Sequence, residues 1–281
     1  HFRVSQSFGM ELIPIAMTPD GPDMDAVEAA VRHPAVKGIW CVPKYSNPQG
    51  IVYSDAVVDR LAALRPAAPD FALMWDNAYC LHEVYGEFVP FRDMLTLCRE
   101  AGNADMVYEF ASTSKITFPG AGVAVMAASE ANLKYLSGLL GAQTISYDKV
   151  NQLRHVRFLQ DKAHVLELMQ RHAAILRPKF EAVLAALRGI APLNIASWTE
   201  PKGGYFVSCD AMPGTAKRTL ALCAGAGVTM TPAGATYPGG NDPADSNIRI
   251  APSFPPVEEL EQAMQIFCLA LRMAALEKLG I

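Results

Sequence analysis

The stretch "MVYEFASTSKITFPGAGVAVMAAS", residues 106–129, holds two apolar runs, and Lys115 is the only charged residue between Phe110 and Ser129. Each run is rich in residues that strands favour. The loop that joins them has about a dozen residues, too few for the crossover helix that neighbouring parallel strands require. We therefore expect two strands that are antiparallel or lie apart in one sheet, with a solitary cation between them.

Upstream of this stretch, apolar runs alternate with helical patterns. Three more runs predict strands, at 12–17, 36–43 and 71–77. The segments between the runs have the periodicity and end signals of helices, at 24–33, 54–65 and 91–102. Strands that alternate with helices predict an α/β fold, with a mostly parallel sheet between layers of helices.

The character of the chain changes towards its C-terminus. A long helical pattern runs from Tyr147 to Pro178, where we expect a kink or hinge. Residues 179–281 predict a smaller α+β unit, with strands in "GGYFVSCD" and "NIRIAPS", a helix near "TAKRTLALCAGAG" and a closing helix. The sequence thus predicts a large domain over residues 1–177 and a small C-terminal domain over residues 178–281.

Composition excludes several classes of function. The 24 basic and 28 acidic residues give a net charge of −4 without a basic stripe, which argues against nucleic acid as a partner. Apolar stretches are interrupted before the ~20 residues that a membrane span needs. The six cysteines form no C-x-x-C pair, as in a cytoplasmic protein with reduced thiols. The six histidines lack metal-ligand spacing, so we expect no metal site and interpret them as surface or capping residues.

Polar side chains follow three of the predicted strands, where open α/β sheets bind ligands. Asn47 follows the second run, Asp76 ends the third with Tyr79 three residues later, and "STSK" at 112–115 follows the fourth. A lysine amine removed from water is partly neutral and can attack a carbonyl to form a Schiff base. A neighbouring aspartate can keep the pyridine nitrogen of pyridoxal phosphate protonated. Lysine and aspartate together therefore indicate that cofactor.

At this point the sequence resembles the fold-type I pyridoxal-phosphate enzymes, and among them the class I/II aminotransferases of the aspartate aminotransferase type. The matching motifs are "NPQG" (47–50), "WDNAY" (75–79), "STSK" (112–115), "PKGGYFVSCD" (201–210), "GVTMTPAGATYP" (227–238) and "NIRIAPS" (247–253). They span nearly the whole chain in the family's order. The resemblance implies the α/β fold of pyridoxal-phosphate-dependent transferases, with a smaller α+β C-terminal domain.

The resemblance also implies a role for each matching residue. Lys115 would hold pyridoxal 5'-phosphate and then act as the general acid and base. Asp76 would pair with the pyridine nitrogen, and Tyr79 and Asn47 would bind the phenolic oxygen of the cofactor.

Three further residues complete the implied site. Ser112 and Ser114 would bind the cofactor phosphate. Arg249 would bind the substrate α-carboxylate with its planar fork, and Asn47 would contribute to the same substrate contact.

Two departures from the family pattern stand out. The family usually has an arginine after the lysine that binds the phosphate, whereas this chain has Gly122 or Val123 there. The resemblance also starts partway through the family's large domain, so we expect further phosphate-binding elements before His1. The absence of this arginine and the segment "SKITFPGAGVA" both resemble features of a divergent bacterial branch of aspartate aminotransferases.

The function implied is transamination of a small L-amino acid, with aspartate favoured and 2-oxoglutarate as acceptor, by a ping-pong mechanism in a cytoplasmic homodimer. Amino acids and 2-oxo acids would be its substrates. The cation for the second carboxylate of aspartate would come from Lys149, Arg154 or Arg157, or from a segment before His1.

Other interpretations stay open. One is a ligand-sensing domain of a transcription regulator that binds pyridoxal phosphate, and another is a lyase or decarboxylase on the same fold. Residue by residue, Lys115 could be an ordinary loop lysine, Asp76 a turn residue, Tyr79 a core aromatic and Arg249 a surface-strand cation.

Overall fold

A computed structural model describes all residues from His1 to Ile281. The nine α-helices are α1 (Phe2–Ser7), α2 (Met24–Ala30), α3 (Asp55–Ala62), α4 (Met94–Glu100), α5 (Glu130–Gln143), α6 (Lys149–Leu159), α7 (Lys162–Ile190), α8 (Ala216–Gly225) and α9 (Val257–Leu279). The strands are β1 (Met17–Thr18), β2 (Gly21–Pro22), β3 (Gly38–Cys41), β4 (Ala72–Asp76), β5 (Val107–Ser112), β6 (Ala124–Ala128), β7 (Ala196–Trp198), β8 (Val207–Ala211) and β9 (Asn247–Ile250). None of the helices combines the length and the apolar character that a membrane crossing requires.

The central sheet has four strands in the order β3, β4, β5, β6. The first three are parallel, and β6 runs antiparallel to β5. The prediction from the short loop between the last two apolar runs is confirmed, since the two strands pair directly from Tyr108 opposite Ala128 to Ser112 opposite Ala124. The carboxyl ends of β4 and β5 consequently lie side by side, which places Asp76 near the loop that carries Lys115.

The helices that cover this sheet begin where the sequence signals predict. The side chain of Asp23 caps α2 by accepting from the amides of Asp25 and Ala26, and Ser54 caps α3 by accepting from the amide of Val57. Side-chain caps of this kind satisfy amide groups that have no partner inside the helix. A core of 18 buried residues joins these helices to the sheet, with Leu61, Leu73 and Trp75 among its least exposed members.

The predicted strand at 12–17 is wrong. The structure has no regular element from Met10 to Ala16, and only Met17 enters a strand, the two-residue β1. The physical reason lies in the run itself. Pro14 interrupts the run and has no amide hydrogen to donate to a sheet ladder, and Ile13 beside it is exposed.

The single long helix predicted from Tyr147 to Pro178 is also wrong. The helical segment is divided into α6 and α7 at Gln160, whose φ of 56° ends α6, and the side chain of Asp161 caps the start of α7. Pro178 lies inside α7, which continues to Ile190. The helix tolerates this proline because buried residues on both sides of it, such as Ala173 and Phe180, are fixed by tertiary packing.

A second core of 19 buried residues, all from Phe180 onward except Val84, surrounds an antiparallel sheet in the order β7, β8, β9. The strands predicted in "GGYFVSCD" and "NIRIAPS" correspond to β8 and β9, and the two predicted helices correspond to α8 and α9. The apolar stripe of α9 faces this core, since Leu260, Met264, Phe267 and Leu271 are all buried. The boundary expected at 177–178 falls inside α7, and the division into two domains stays a prediction.

Candidate active site

Asp76 and Tyr79 lie at the carboxyl end of β4. Asp76 is the last residue of the strand, and its Oδ1 accepts from the Ala78 amide at 3.1 Å while Oδ2 accepts from the Trp40 indole nitrogen at 3.2 Å. Tyr79 lies in the turn that follows and is only 5% exposed. Asp76 and Tyr79 therefore lie at the same edge of the sheet, the carboxyl end of β4.

Lys115 is the last residue of a one-turn 3₁₀ helix, Thr113–Lys115, that follows β5. Its Nζ lies 5.0 Å from the centre of the Tyr79 ring and makes no hydrogen bond or ion pair. The sequence argument assumed that this amine is removed from water, and that assumption is wrong for this chain, because Lys115 is exposed. The physical reason is that the turn extends past the sheet edge, and the neighbouring loop tip from Phe118 to Gly120 is itself exposed.

Arg249 approaches the same place from β9. Its guanidinium donates to Asn47 Oδ1 at 3.1 Å and to Thr231 Oγ1 at 3.5 Å, and it lies 4.5 Å from the centre of the Phe206 ring. Its Nε is buried without a hydrogen-bond partner. Removal from water lowers the pKa of Arg249, although the neighbouring Tyr79 acts in the opposite direction. The guanidinium thus retains donor capacity for an anion.

Tyr79 lies between these charged groups. Burial raises the pKa of Tyr79 to about 12, the Asp76 carboxylate adds to the rise, and the Arg249 cation opposes it. The phenol therefore stays protonated at neutral pH and can donate a hydrogen bond.

Ser112 and Ser114 form a compact hydroxyl pair beside Lys115. Their Oγ atoms are 2.6 Å apart, and the Ser114 amide donates to Ser112 Oγ at 3.0 Å. Gly122 packs directly on this pair, since a Cβ at that position would lie 2.8 Å from Ser114 Oγ and 3.0 Å from its amide nitrogen. A side chain at 122 would collide with Ser114, so the close packing accounts for a glycine at this position.

The three cations considered for the second substrate carboxylate lie on α6. Arg154 donates to Asn151 Oδ1 at 2.6 Å, and its guanidinium lies 5.8 Å from the centre of the Phe118 ring. Lys149, Arg154 and Arg157 are exposed, and none of them hydrogen-bonds to Asp76 or Arg249. Within one chain, these cations are not joined to the cluster around Lys115.

Comparison with known proteins gives the family relationships of this chain. The family model described as "Aspartate amino-transferase" matches residues 1–280. A curated relative from Mycolicibacterium smegmatis is 49% identical over 281 residues, and an aspartate aminotransferase from Corynebacterium glutamicum is 47% identical over 278 residues. Each match covers 99% of this chain, which spans 66% and 64% of the two relatives respectively.

The chain belongs to the aspartate aminotransferase family. A crystal structure of an aspartate transaminase from Corynebacterium glutamicum superposes with a TM-score of 0.97 at 46% identity, covering 99% of this chain and 66% of that one. An α-aminoadipate aminotransferase from Thermus thermophilus, at 23% identity and a TM-score of 0.79, shares the fold. The α/β fold implied by the sequence motifs is therefore confirmed as the aspartate aminotransferase fold.

Two buried histidines bond to the 115–117 segment of this family member and were missed by sequence reasoning. His82 and His155 are buried, so their interpretation as surface or capping residues is wrong. His155 Nδ1 bonds to the Asn151 carbonyl and its Nε2 to Thr117 Oγ1. His82 lies three residues after Tyr79, and proximity to a strand end was the signal that could have found it.

Proposed function

We propose that the complete protein is a pyridoxal-phosphate-dependent aminotransferase that moves the amino group of L-aspartate to 2-oxoglutarate by a ping-pong mechanism. The observation that carries this proposal is that three residues from distant parts of the chain lie close together: Tyr79 follows β4, Lys115 follows β5 and Arg249 lies in β9. An amine without a bonding partner, a buried phenol and a partly dehydrated guanidinium form one cluster around Tyr79. Family membership supports the same reaction class.

The residues present fit pyridoxal phosphate. Lys115 offers a primary amine without a hydrogen-bond partner, and Asp76 offers a carboxylate held by two donors. Lys115 would hold the cofactor's aldehyde carbon, Asp76 its ring nitrogen, and Tyr79 and Asn47 its phenolic oxygen. The Ser112 and Ser114 hydroxyls, packed against Gly122, offer neutral donors for the phosphate.

When bound, pyridoxal phosphate supplies the aldehyde that takes up the amino group and a ring that stabilises negative charge at the donor's α carbon. The Lys115 amine would take the proton from that α carbon and deliver it two bonds away, at the cofactor carbon. An exposed amine without a hydrogen bond suits this task, because it can move from the face of Tyr79 without breaking a hydrogen bond.

Arg249 orients the substrate in this proposal. Its fork binds the α-carboxylate with two parallel hydrogen bonds, and Asn47 holds the guanidinium plane by accepting from it. A carboxylate held in place argues for transamination rather than decarboxylation.

The proposal includes a homodimer, located in the cytoplasm. Helix α5 has no buried residue and exposes Leu133, Tyr135 and Leu139, and α6 adds Val150 and Phe158. A second copy of the chain would cover this apolar surface. The same contact would bring a cation of α6, such as Arg154, to the partner's site for the second carboxylate of aspartate.

The experiment that tests the function is an absorbance spectrum of the complete protein with pyridoxal phosphate, followed by addition of L-aspartate. We expect the band of the lysine-linked cofactor to disappear with aspartate and to return with 2-oxoglutarate. A band that forms but does not respond to any proteinogenic amino acid would contradict transamination and favour a ligand-sensing domain.

A further inference from the structure

The backbone carbonyl of Lys115 accepts hydrogen bonds from two side chains. His82 Nε2 lies 3.2 Å from this oxygen, and the Tyr205 hydroxyl donates to it at 3.0 Å. Since a carbonyl oxygen only accepts, Nε2 of His82 carries the hydrogen. No backbone amide bonds to this carbonyl, and Pro119, four residues further on, has no amide hydrogen to donate.

The two donors come from parts of the chain that are far apart in sequence but fixed to each other. The Gly204 amide donates to the His82 carbonyl at 2.8 Å, and the Val84 amide donates to the Lys202 carbonyl at 2.9 Å. Gly203 is packed so closely that a Cβ there would overlap the His82 carbonyl oxygen. The segment before β8 is therefore locked to the loop after β4, and it holds Tyr205 over Lys115.

Both donors keep their hydrogens at neutral pH. Burial lowers the pKa of His82 to about 4, so the imidazole is neutral and presents one hydrogen. Burial raises the pKa of the Tyr205 phenol. The two rings are in edge contact with each other at 5.4 Å, and Tyr79 contacts them at 5.6 Å and 6.1 Å. The ring beneath the Lys115 amine is thus held by the same pair.

We propose that His82 and Tyr205 are positioning residues that fix the backbone of Lys115, so that its amine meets the donor's α carbon. The inference rests on the proposed function. Two hydrogen bonds to one carbonyl set the position of the Lys115 Cα atom, whereas the side chain beyond it makes no bond and stays free to move. The Lys115 backbone is thus held while its amine is mobile. An amine that carries a proton over a short distance between two carbon atoms requires both properties.

The test uses the complete protein loaded with pyridoxal phosphate and the variants Tyr205→Phe, His82→Leu and His82→Gln. A misplaced catalytic amine costs about 10- to 100-fold in rate, so we expect kcat to fall by that factor in Tyr205→Phe and His82→Leu. KM for aspartate should change by less than about threefold, because Arg249 is untouched. The pKa of the lysine-linked cofactor, measured from its absorbance as a function of pH, should shift in the same two variants.

The His82→Gln variant separates positioning from packing. The amide nitrogen of the introduced side chain reaches about as far as imidazole Nε2 and also donates, so this variant should recover most of kcat and the original spectroscopic pKa. Tyr108→Phe, which removes a hydroxyl near the start of β5, at the other end of the strand from Lys115, is the matched control and should behave as the wild type.

The inference is overturned if Tyr205→Phe and His82→Leu match the Tyr108→Phe control in kcat and in the spectroscopic pKa. It is also overturned if His82→Gln loses as much as His82→Leu, since the donor would then not matter. Failure of the proposed function looks different. The wild type itself would then show no response of its cofactor band to L-aspartate and no turnover, before any variant is measured.

Discussion

Two lysines of this protein have opposite surroundings. Lys44 is 3% exposed, and its Nζ bonds to the Glu83 carboxylate, to the Cys80 carbonyl at 3.0 Å and to the Val89 carbonyl at 2.7 Å. It also lies 4.9 Å from the centre of the Phe88 ring. Lys115 is exposed, and its amine contacts only the face of Tyr79. All three hydrogens of the Lys44 ammonium are used, and none of those of Lys115 is.

The difference teaches what makes a lysine available for chemistry. An ammonium with three hydrogen bonds and a buried carboxylate partner would lose all of these contacts if it reacted. Lys115 has no such contacts to lose. Isolation in the sequence does not separate the two, because Lys44 is likewise the only charged residue between Lys37 and Asp55. Bonding in the folded chain distinguishes them.

The largest expected effect is on Lys115. Lys115→Ala removes the proposed nucleophile and proton carrier, so kcat of the complete protein should fall by about 10⁴-fold or more. The melting temperature of the apoprotein should stay within a few degrees, because the amine makes no structural bond. A kcat of Lys115→Ala within tenfold of the wild-type value would show that Lys115 is not the reactive lysine, and its contrast with Lys44 would then have no bearing on chemistry.

The next effect is on stability and concerns Lys44. Lys44→Met leaves the Glu83 carboxylate buried without its cation, which should lower the free energy of unfolding by about 3–5 kcal/mol. Urea unfolding of the complete protein measures this change. The double variant Lys44→Met, Glu83→Gln should lose less than the single variant. An equal or greater loss would mean that the buried charge is not the cause.

A smaller effect is expected at Arg249. The Arg249→Lys variant keeps the charge but not the fork, so KM for aspartate should rise by about 100-fold with a smaller change in kcat. Asn47→Ala, which frees the guanidinium, should raise KM by about tenfold. Steady-state kinetics at saturating 2-oxoglutarate check both values. A fall in kcat alone would argue against a carboxylate-binding role.

The smallest effect is a pH dependence of stability due to His82. Its folded pKa of about 4 lies below the ordinary value of 6.5, so between these values the unfolded chain binds more protons and stability falls as pH falls. From pH 6.5 to 5 the loss should be about 1.5 kcal/mol. His82→Gln should flatten this part of the profile in urea unfolding. An unchanged slope would show that other groups cause it.

Local signals made part of this structure predictable. Asp76 ends β4 and Arg249 lies in β9 because apolar runs with polar ends mark strands, and Asp23 and Ser54 cap their helices because a cap depends on adjacent residues. The helix break at Gln160 had only one such signal, the cap residue Asp161, and sequence reasoning missed it because an aspartate within a long helical pattern is ordinary. Burial of His82 depends on its contact with 202–205, which only the folded chain creates. Long-range packing of this kind leaves no trace in local sequence.

The close packing of Gly122 on Ser114 restricts how this loop can change over generations. An arginine could arise at position 122 by a single substitution, but it would strike both the hydroxyl and the backbone of Ser114. The 112–115 turn would have to shift first, and that shift would displace Lys115. An arginine at position 122 therefore requires a variant in which the turn that carries Lys115 has already moved. Descent from this sequence thus favours a neutral residue at this position.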